Sequence, residues 1–158
     1  MTTAAVTTDI QAGSDRIDPR PRRVAPSALA LLESARHGLV AAESEAAAGA
    51  RYVSAHLAAL RAAAAVVAAR AEPGATSRRR RPLSVWELLP KVEPALSEWA
   101  AFFAAGAAKR AAAEAGLPRA VTPREADDLL RDAEMFVSLA ENALGVAVQP
   151  LLPLLTAG

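Results

Sequence analysis

The stretch that decides the fold is residues 50–71, which read ARYVSAHLAALRAAAAVVAARA. Half of these residues are alanine, which is the best helix former and is depleted in strands. Tyr52, His56 and Leu60 recur every four residues along one stripe and are flanked by other apolar positions, which predicts a helix with one buried face. The EPG sequence at 72–74 is expected to end this helix, because proline cannot continue it.

The composition of the whole chain extends this prediction to an all-α fold. Alanine contributes 42 of the 158 residues, and aromatic residues contribute only 4%. Strand-forming residue types are too sparse for a sheet protein, and the length suits one domain. The absence of cysteine excludes a disulfide scaffold, a thiolate zinc site and a cysteine nucleophile. The net charge of +1 gives no overall field that would attract nucleic acid or a membrane surface.

Three regions are expected along the chain. Residues 1–25 are polar, carry Pro and Arg and show no periodicity, so we expect a disordered leader. Residues 26–145 hold all the periodic segments and are expected to form the helical bundle. Residues 146–158 form an apolar tail that contains two prolines.

No membrane-spanning segment is expected from the sequence. The most apolar stretch, residues 53–69, is interrupted by His56 and Arg61, and a span needs about 20 strongly apolar residues. The N-terminus lacks the apolar core of a secretory signal. We therefore expect a cytoplasmic protein that does not associate with membranes.

Boundary signals place two helices in the first half of the bundle. The first is expected to begin after Pro26, with Ser27 as its N-cap, and to end or break at Gly49. The second is expected over about 50–71. A basic loop, residues 73–82, follows it.

The next unit is expected to open with a capping box, in which Ser84 is the N-cap and Glu87 lies three positions later. Pro94 fits the first turn of a new helix, because the missing N–H is not needed there. That helix is expected to run to about Ala115 and to end at Gly116.

The last helix has the clearest start signal, an N-cap Thr122 followed by Pro123 and by Glu125 at the third helical position. Gly145 is suited to end it. Its predicted apolar face consists of Ala126, Leu129, Leu130, Ala133, Phe136, Val137, Ala140 and Leu144. Together, these segments predict a four- to five-helix bundle.

Alanine-lined helices approach closely but bury little area. At roughly 25 cal/mol per Å² of buried apolar surface, a core made of alanine is thin. A second copy of the chain would add buried surface, so we expect a homodimer.

Two stretches resemble HEPN (higher eukaryotes and prokaryotes nucleotide-binding) domains. SARHGLVAAESEAAAGARYVSAHLAALRAAAAVVAAR, residues 34–70, resembles their opening helix pair. EWAAFFAAGAAKRAAAEAG and TPREADDLLRDAEMFVSLAENAL, within residues 98–144, resemble the later half of an alanine-rich actinobacterial branch of this superfamily. The resemblance implies a compact, commonly dimeric all-α bundle. It also implies a function among RNases, toxins and nucleotide-binding modules.

Active members of the family carry an R-x4–6-H motif, and paired motifs at a dimer interface cleave RNA without a metal. In such a motif the histidine acts as general acid or base and the arginine stabilises the phosphorane charge. Arg51 and His56 match this spacing. However, five residues of continuous helix turn by about 500°, which separates the two side chains by about 140°. The motif also lies in an earlier helix than expected, so we interpret His56 first as a core-edge histidine.

Two groups of basic residues are candidates for phosphate or nucleic-acid contact. The first group is the run of four arginines in the loop after the second helix. It could bind phosphate in a salt-dependent way, or it could belong to a solvated loop without a ligand. The second group lies beside Gly106, where cations also suit a helix C-terminus. A glycine inside a helix indicates close packing or close approach of a ligand, and no P-loop pattern is present. The candidates are Arg78, Arg79, Arg80 and Arg81 in the loop, and Lys109 and Arg110 in the helix.

The acidic and the aromatic side chains each allow two interpretations. Two histidines without cysteine argue against zinc, and we expect no metal and no cofactor. The acidic side chains of the last helix read as its outer face, with a divalent-cation site as the alternative; they are Asp127, Asp128, Asp132 and Glu134. The aromatic unit reads as a core anchor, with a partner-binding or base-stacking surface as the alternative; it comprises Trp86, Trp99, Phe102 and Phe103. Because adjacent helix residues diverge, one of the two phenylalanines is expected near a dimer surface.

Three functions remain open on these grounds. The first is a non-catalytic, dimeric HEPN-like module that binds a nucleotide, RNA or a protein. Its candidate surface combines the two basic groups with Arg51 and His56. The second is a metal-independent RNase of toxin type that uses Arg51 and His56. The third is a purely structural adaptor for another helical protein.

Overall fold

The computed structural model describes residues 23–71 and 81–146. These residues form six α-helices and no strand, with a 3-10 turn at Pro94–Leu96. The helices are α1 (Pro26–Ser44), α2 (Ala48–Arg70), α3 (Val85–Val92), α4 (Ser97–Ala105), α5 (Ala107–Glu114) and α6 (Pro123–Ala143). The predicted all-α bundle is confirmed. The predictions for the leader before Arg23, for the tail after Val146 and for the stop at 72–74 lie outside the described residues.

The central helix is α2, which packs most extensively against α1 and α6. Six of its nine buried residues are alanine. Alanines that are fully buried also recur every seventh residue on both neighbouring helices. We call this set the alanine seam; its flanking members are Ala28, Ala35 and Ala42 on α1, and Ala126, Ala133 and Ala140 on α6. The small side chains let the three helices approach closely, as the composition predicted.

By length and composition alone, α2 could cross a membrane, with a mean hydropathy of 1.5 over an 18-residue window. The density of alanine raises the mean hydropathy of this helix, and a buried core helix can meet the same condition. The expectation that the chain has no membrane-spanning segment therefore stays a prediction. Half of that window is buried inside the bundle.

Both predicted capping boxes are present. The Ser84 hydroxyl accepts a hydrogen bond from the Glu87 amide (3.2 Å), and the Glu87 carboxylate accepts one from the Ser84 amide (2.8 Å). Thr122 and Glu125 form the same reciprocal pair at 3.1 and 2.8 Å. At the other end of α6, Gly145 takes a positive φ of 67°, which favours glycine.

The boundaries of the first two helices differ from the prediction. Pro26 is the first residue of α1 and Ala25 is the N-cap, so Ser27 lies inside the helix. Proline fits this position because the first helical N–H has no intrahelical partner. The helix ends at Ser44, and Gly49 belongs to the first turn of α2. Gly49 was therefore wrong as a boundary.

The predicted helix from Pro94 to about Ala115 is not continuous. The 3-10 turn comes first, and the helix then breaks at Gly106, between α4 and α5. The Gly106 amide donates to the Phe103 carbonyl (3.1 Å), and His56 Nε2 donates to the same oxygen at 2.8 Å. A side chain that inserts into the hydrogen-bond ladder of a helix interrupts it. The break is therefore a consequence of the contact with α2.

Large side chains are concentrated where α3, α4 and α6 meet. Phe103 is fully buried, with its ring centroid 5.3 Å from that of Trp86 and 5.2 Å from that of Phe136. Trp99 stacks on Phe103 at 6.0 Å. We call these four residues the aromatic corner. Three of them come from the unit that the sequence predicted as a core anchor.

Candidate functional site

His56 lies in the core of the bundle, at the edge of the aromatic corner. Its side chain is fully buried. Nε2 donates to the Phe103 carbonyl at 2.8 Å, which leaves Nδ1 to accept from the Arg110 guanidinium at 3.3 Å. The rings of Trp86 and Phe103 meet it edge-on at 6.0 and 5.8 Å. These contacts fix the neutral tautomer that carries its proton on Nε2.

The surroundings of His56 also disfavour its charged form. Burial is the largest effect and lowers its pKa, the Phe103 carbonyl opposes that shift, and the Arg110 charge lowers the pKa further. The ring is therefore neutral at pH 7. General acid–base catalysis requires hydrogen-bond reach to the reacting group, and a fully buried ring has no exposed nitrogen to offer.

Arg51 is placed elsewhere, at the start of α2. Its guanidinium donates to the Glu45 carbonyl at 3.1 Å and forms an ion pair with the Asp127 carboxylate of α6. Arg51 thus connects the α1–α2 turn to α6. It shares no hydrogen-bond partner with His56, and the structure does not bring the two side chains together as a pair.

Lys109 and Arg110 are both engaged within the protein. Lys109 forms an ion pair with Glu125, which raises the pKa of Lys109 and lowers that of Glu125. Arg110 directs one guanidinium nitrogen to His56. Its Nε is buried, has no hydrogen-bond partner among the described residues, and lies 3.8 Å from the Glu114 carboxylate. Of the candidate residues, the structure therefore brings His56 and Arg110 together.

The basic loop is described only at its end. Arg78, Arg79 and Arg80 lie outside the described residues. Arg81 is exposed and donates to the Glu87 carboxylate at 2.8 Å. This guanidinium, together with the Ser84 amide, lowers the pKa of Glu87 to about 2.

Gly106, between α4 and α5, lies directly against two side chains of α2. A Cβ at this position would lie 2.9 Å from Tyr52 Oη and 3.4 Å from the His56 ring. Of the two explanations that the sequence offered for this glycine, the structure supports close packing.

A comparison with protein families matches residues 41–141 to the family described as SAV_6107-like HEPN. The chain belongs to this family. The match begins late in α1, runs almost to the end of α6 and covers nearly two-thirds of the sequence. It confirms the HEPN superfamily that the sequence resembled, whereas the alanine-rich actinobacterial branch stays a prediction. No curated protein and no solved structure gave a match.

A shallow pocket of about 220 Å³ opens on this HEPN domain next to Lys109. One cation faces three carboxylates there, and burial, together with the Asp128 charge, raises the pKa of Asp132. This negative balance opposes binding of a phosphate. The lining comprises Tyr52, Phe102, Lys109, Glu125, Asp128, Leu129 and Asp132.

The carboxylates on the acidic face of α6 are not arranged as the ligands of a metal ion. In residues 23–71 and 81–146, no three His or carboxylate side chains are grouped so that they could hold an ion. Two of the carboxylates that the sequence proposed are used in ion pairs, Asp127 with Arg51 and Asp128 with Arg131.

Two polar contacts of this HEPN domain were not foreseen from the sequence. The Arg36 guanidinium binds the buried Glu141 carboxylate, with Nε 2.7 Å from Oε1. Glu43 of α1 and Glu134 of α6 line the same surface depression, and the Glu43 carboxyl group contributes to raising the pKa of Glu134. The burial of Glu141 could have been predicted from the sequence, because it lies four residues after Val137 in the apolar stripe of α6. A carboxylate at a buried position needs a polar or charged partner.

Proposed function

We propose that this HEPN-like domain is a non-catalytic, homodimeric, cytoplasmic module that binds a protein partner. The proposal rests on one observation: the described candidate residues are either buried or already bound to other groups of the same chain. His56 is sealed in the core and serves the packing of α4 against α2. The described candidate cations all meet a carboxylate, carbonyl or imidazole of the same chain; they are Arg51, Arg81, Lys109 and Arg110.

A surface that recognises phosphate needs cations that are available to it. At the described candidates Arg51, Arg81 and Lys109, contact with RNA or a nucleotide would first have to break an ion pair within the chain, and the pocket beside Lys109 carries more carboxylates than cations. Large apolar side chains, in contrast, are exposed, with Val40 65% and Met135 58% accessible. Exposed apolar groups of this kind are a feature of protein–protein surfaces. This balance supports a protein partner over a nucleic acid.

The homodimer is proposed to form across the outer face of α4. Phe102 is 45% exposed, although its neighbour Phe103 is fully buried. Its ring lies edge-on to Trp99, at a centroid distance of 6.1 Å, so it is held in place at the surface. Aromatic side chains held in this way act as anchors of interfaces. A second copy would also supply the buried area that the alanine seam lacks.

The catalytic question is tested by incubating the protein with labelled single-stranded RNA in EDTA, in parallel with His56→Gln. Glutamine retains an N–H donor for the Phe103 carbonyl. We expect no cleavage by either protein and no retention of RNA at low salt. Cleavage by the wild type that His56→Gln abolishes would establish the RNase function instead, and salt-sensitive retention without cleavage would establish RNA binding.

The dimer is tested by sedimentation velocity of the wild type, Phe102→Glu and Leu117→Glu. Leu117 is a matched control, because it is 58% exposed and lies in the α5–α6 connection. We expect a dimer for the wild type and for Leu117→Glu, and a monomer for Phe102→Glu. A wild-type monomer at micromolar concentration, or a dimer that survives Phe102→Glu, would contradict this interface.

A further inference from the structure

An open groove of about 570 Å³ lies between α1 and α6. Arg36 lies opposite Glu141 and Glu43 opposite Glu134, so the two helices run antiparallel along it. Each helix lines the groove at positions i, i+3, i+4 and i+7, which form one face of a helix. These positions are Arg36, Leu39, Val40 and Glu43 on α1, and Arg131, Glu134, Met135 and Ser138 on α6.

The middle of the groove is apolar and uncovered. Leu39 is buried at its base, whereas Val40 and Met135 are more than half exposed at its rims. An amphipathic helix inserts its apolar face into a groove of this type, and methionine adapts its shape to such partners.

The charges of the groove do not cancel. Arg36 is bound by Glu141, and Arg131 is bound by Asp128. The other two charged residues that line the groove are Glu43 and Glu134. Within residues 23–71 and 81–146, no ion pair joins either of them to a cation. Burial first, and then contact with the Glu43 carboxyl, raises the pKa of Glu134, even though Arg131 and Arg36 oppose the shift. The groove thus carries two facing carboxylates beside an apolar surface.

We infer that the α1/α6 groove is the docking site for an amphipathic helix of a partner protein. That helix places a lysine or arginine between Glu43 and Glu134, and apolar side chains over Val40 and Met135. The assignment rests on the proposed function, since it names the surface and the chemistry of the protein partner. A symmetric contact between two such grooves is disfavoured, because it would bring four carboxylates together while the arginines that line the groove, Arg36 and Arg131, are bound to Glu141 and Asp128.

The test uses two labelled, end-capped peptides of about 18 residues, or five helical turns. Both have an Ala/Gln background with leucine at every third or fourth position. One peptide has lysine at two positions between the leucines, and the other has glutamate there. Anisotropy titrations at low salt are expected to show that the lysine peptide binds at least about tenfold more tightly. The difference should shrink at about 1 M salt, where the Debye length is only about 3 Å.

Variants locate the binding. Glu43→Gln/Glu134→Gln is expected to remove the preference for lysine, and Glu43→Lys/Glu134→Lys to reverse it in favour of the glutamate peptide. Met135→Gln should weaken binding of both peptides. Glu98→Gln, which removes an exposed carboxylate from α4 outside the groove, is the matched control and should leave the affinities of both peptides unchanged. Circular dichroism establishes that each variant is folded.

The outcomes separate this inference from the proposed function. If neither peptide binds, if both bind equally, or if the reversed variant keeps the wild-type preference, the inference is wrong, while the absence of RNA binding still stands by its own assay. If Glu43→Gln/Glu134→Gln or Met135→Gln changes the sedimenting mass, the groove is an interface between copies, and the inference is also wrong. RNA cleavage that depends on His56 would contradict the proposed function, whatever the peptides do.

Discussion

The alanine seam and the aromatic corner hold the same bundle together in opposite ways. Along the seam, α1, α2 and α6 touch through side chains that each bury very little, so what matters there is the short distance between helices. In the aromatic corner a few rings fill a large volume, and Phe103 alone contacts three other aromatic rings of that corner. The corner should therefore be sensitive to lost volume, and the seam to added volume.

The largest effect is expected from Phe103→Ala. Removal of a fully buried phenylalanine leaves a cavity and should lower the free energy of unfolding by about 3–5 kcal/mol. Leu117→Ala is the control and should cost less than about 1 kcal/mol, because that side chain is more than half exposed and lies outside the proposed dimer interface. Urea unfolding measures both. Equal losses at the two positions would show that the aromatic corner is not the main anchor.

Ala62→Leu should be the next most harmful change, although it adds apolar surface. Ala62 is fully buried in the alanine seam, and overpacking of a tight core costs typically about 1–3 kcal/mol. Ala68→Leu, at an exposed position of the same helix, should be nearly neutral. Thermal unfolding of the two variants distinguishes them. If Ala62→Leu is as stable as Ala68→Leu, the alanine seam can accommodate a larger side chain and is not tightly packed.

A smaller effect is expected at Gly106, where α4 and α5 meet α2. Gly106→Ala places a Cβ 2.9 Å from Tyr52 Oη and should destabilise the protein by about 1 kcal/mol. Tyr52→Phe removes that oxygen, so in its background the same substitution should be neutral or stabilising, since alanine is the better helix former by about 1 kcal/mol. A double-mutant cycle measures the coupling. Additive effects would contradict the packing explanation.

The smallest expected effect is a pH dependence of stability due to His56. The folded state holds the pKa of His56 below the ordinary value of 6.5. Below pH 6.5 the unfolded chain therefore binds a proton that the folded chain resists, and stability is lost as the pH falls through the folded pKa. Urea midpoints between pH 7.5 and roughly 5 should fall less steeply for His56→Gln than for the wild type or for His37→Gln, a change at an exposed site. Identical slopes would mean that His56 is not held neutral.

Local signals in the sequence predicted the local structure well. The capping boxes at Ser84 and Thr122 need only residues three positions apart, and both were foreseen. The position of Gly49 inside α2 and the helix break at Gly106 were not foreseen, because the sequence around a glycine does not show whether it ends a helix, lies inside one or makes room for a neighbouring side chain. The break at Gly106 depends on His56, which is 47 residues away from Phe103 in sequence.

The candidate site was harder to predict for the same reason. The R-x4-H spacing selected Arg51 and His56, but spacing does not reveal that Asp127 holds the first and that the second is buried against Phe103. Glu43 and Glu134 lie 91 positions apart and meet only in the folded bundle. The faces of α1 and α6 that pack against α2 could be predicted from the sequence, because alanine recurs every seventh residue along each of them.

We propose that His56 is a structural histidine of a non-catalytic binding domain. The most direct measurement is an NMR titration of the two histidine rings, in EDTA, with and without a short single-stranded RNA. We expect the His56 ring to titrate below pH 6.5, to keep its proton on Nε2 at neutral pH, and to be unaffected by RNA. A His56 pKa at or above 6.5, or one that changes when RNA is added, would contradict this account.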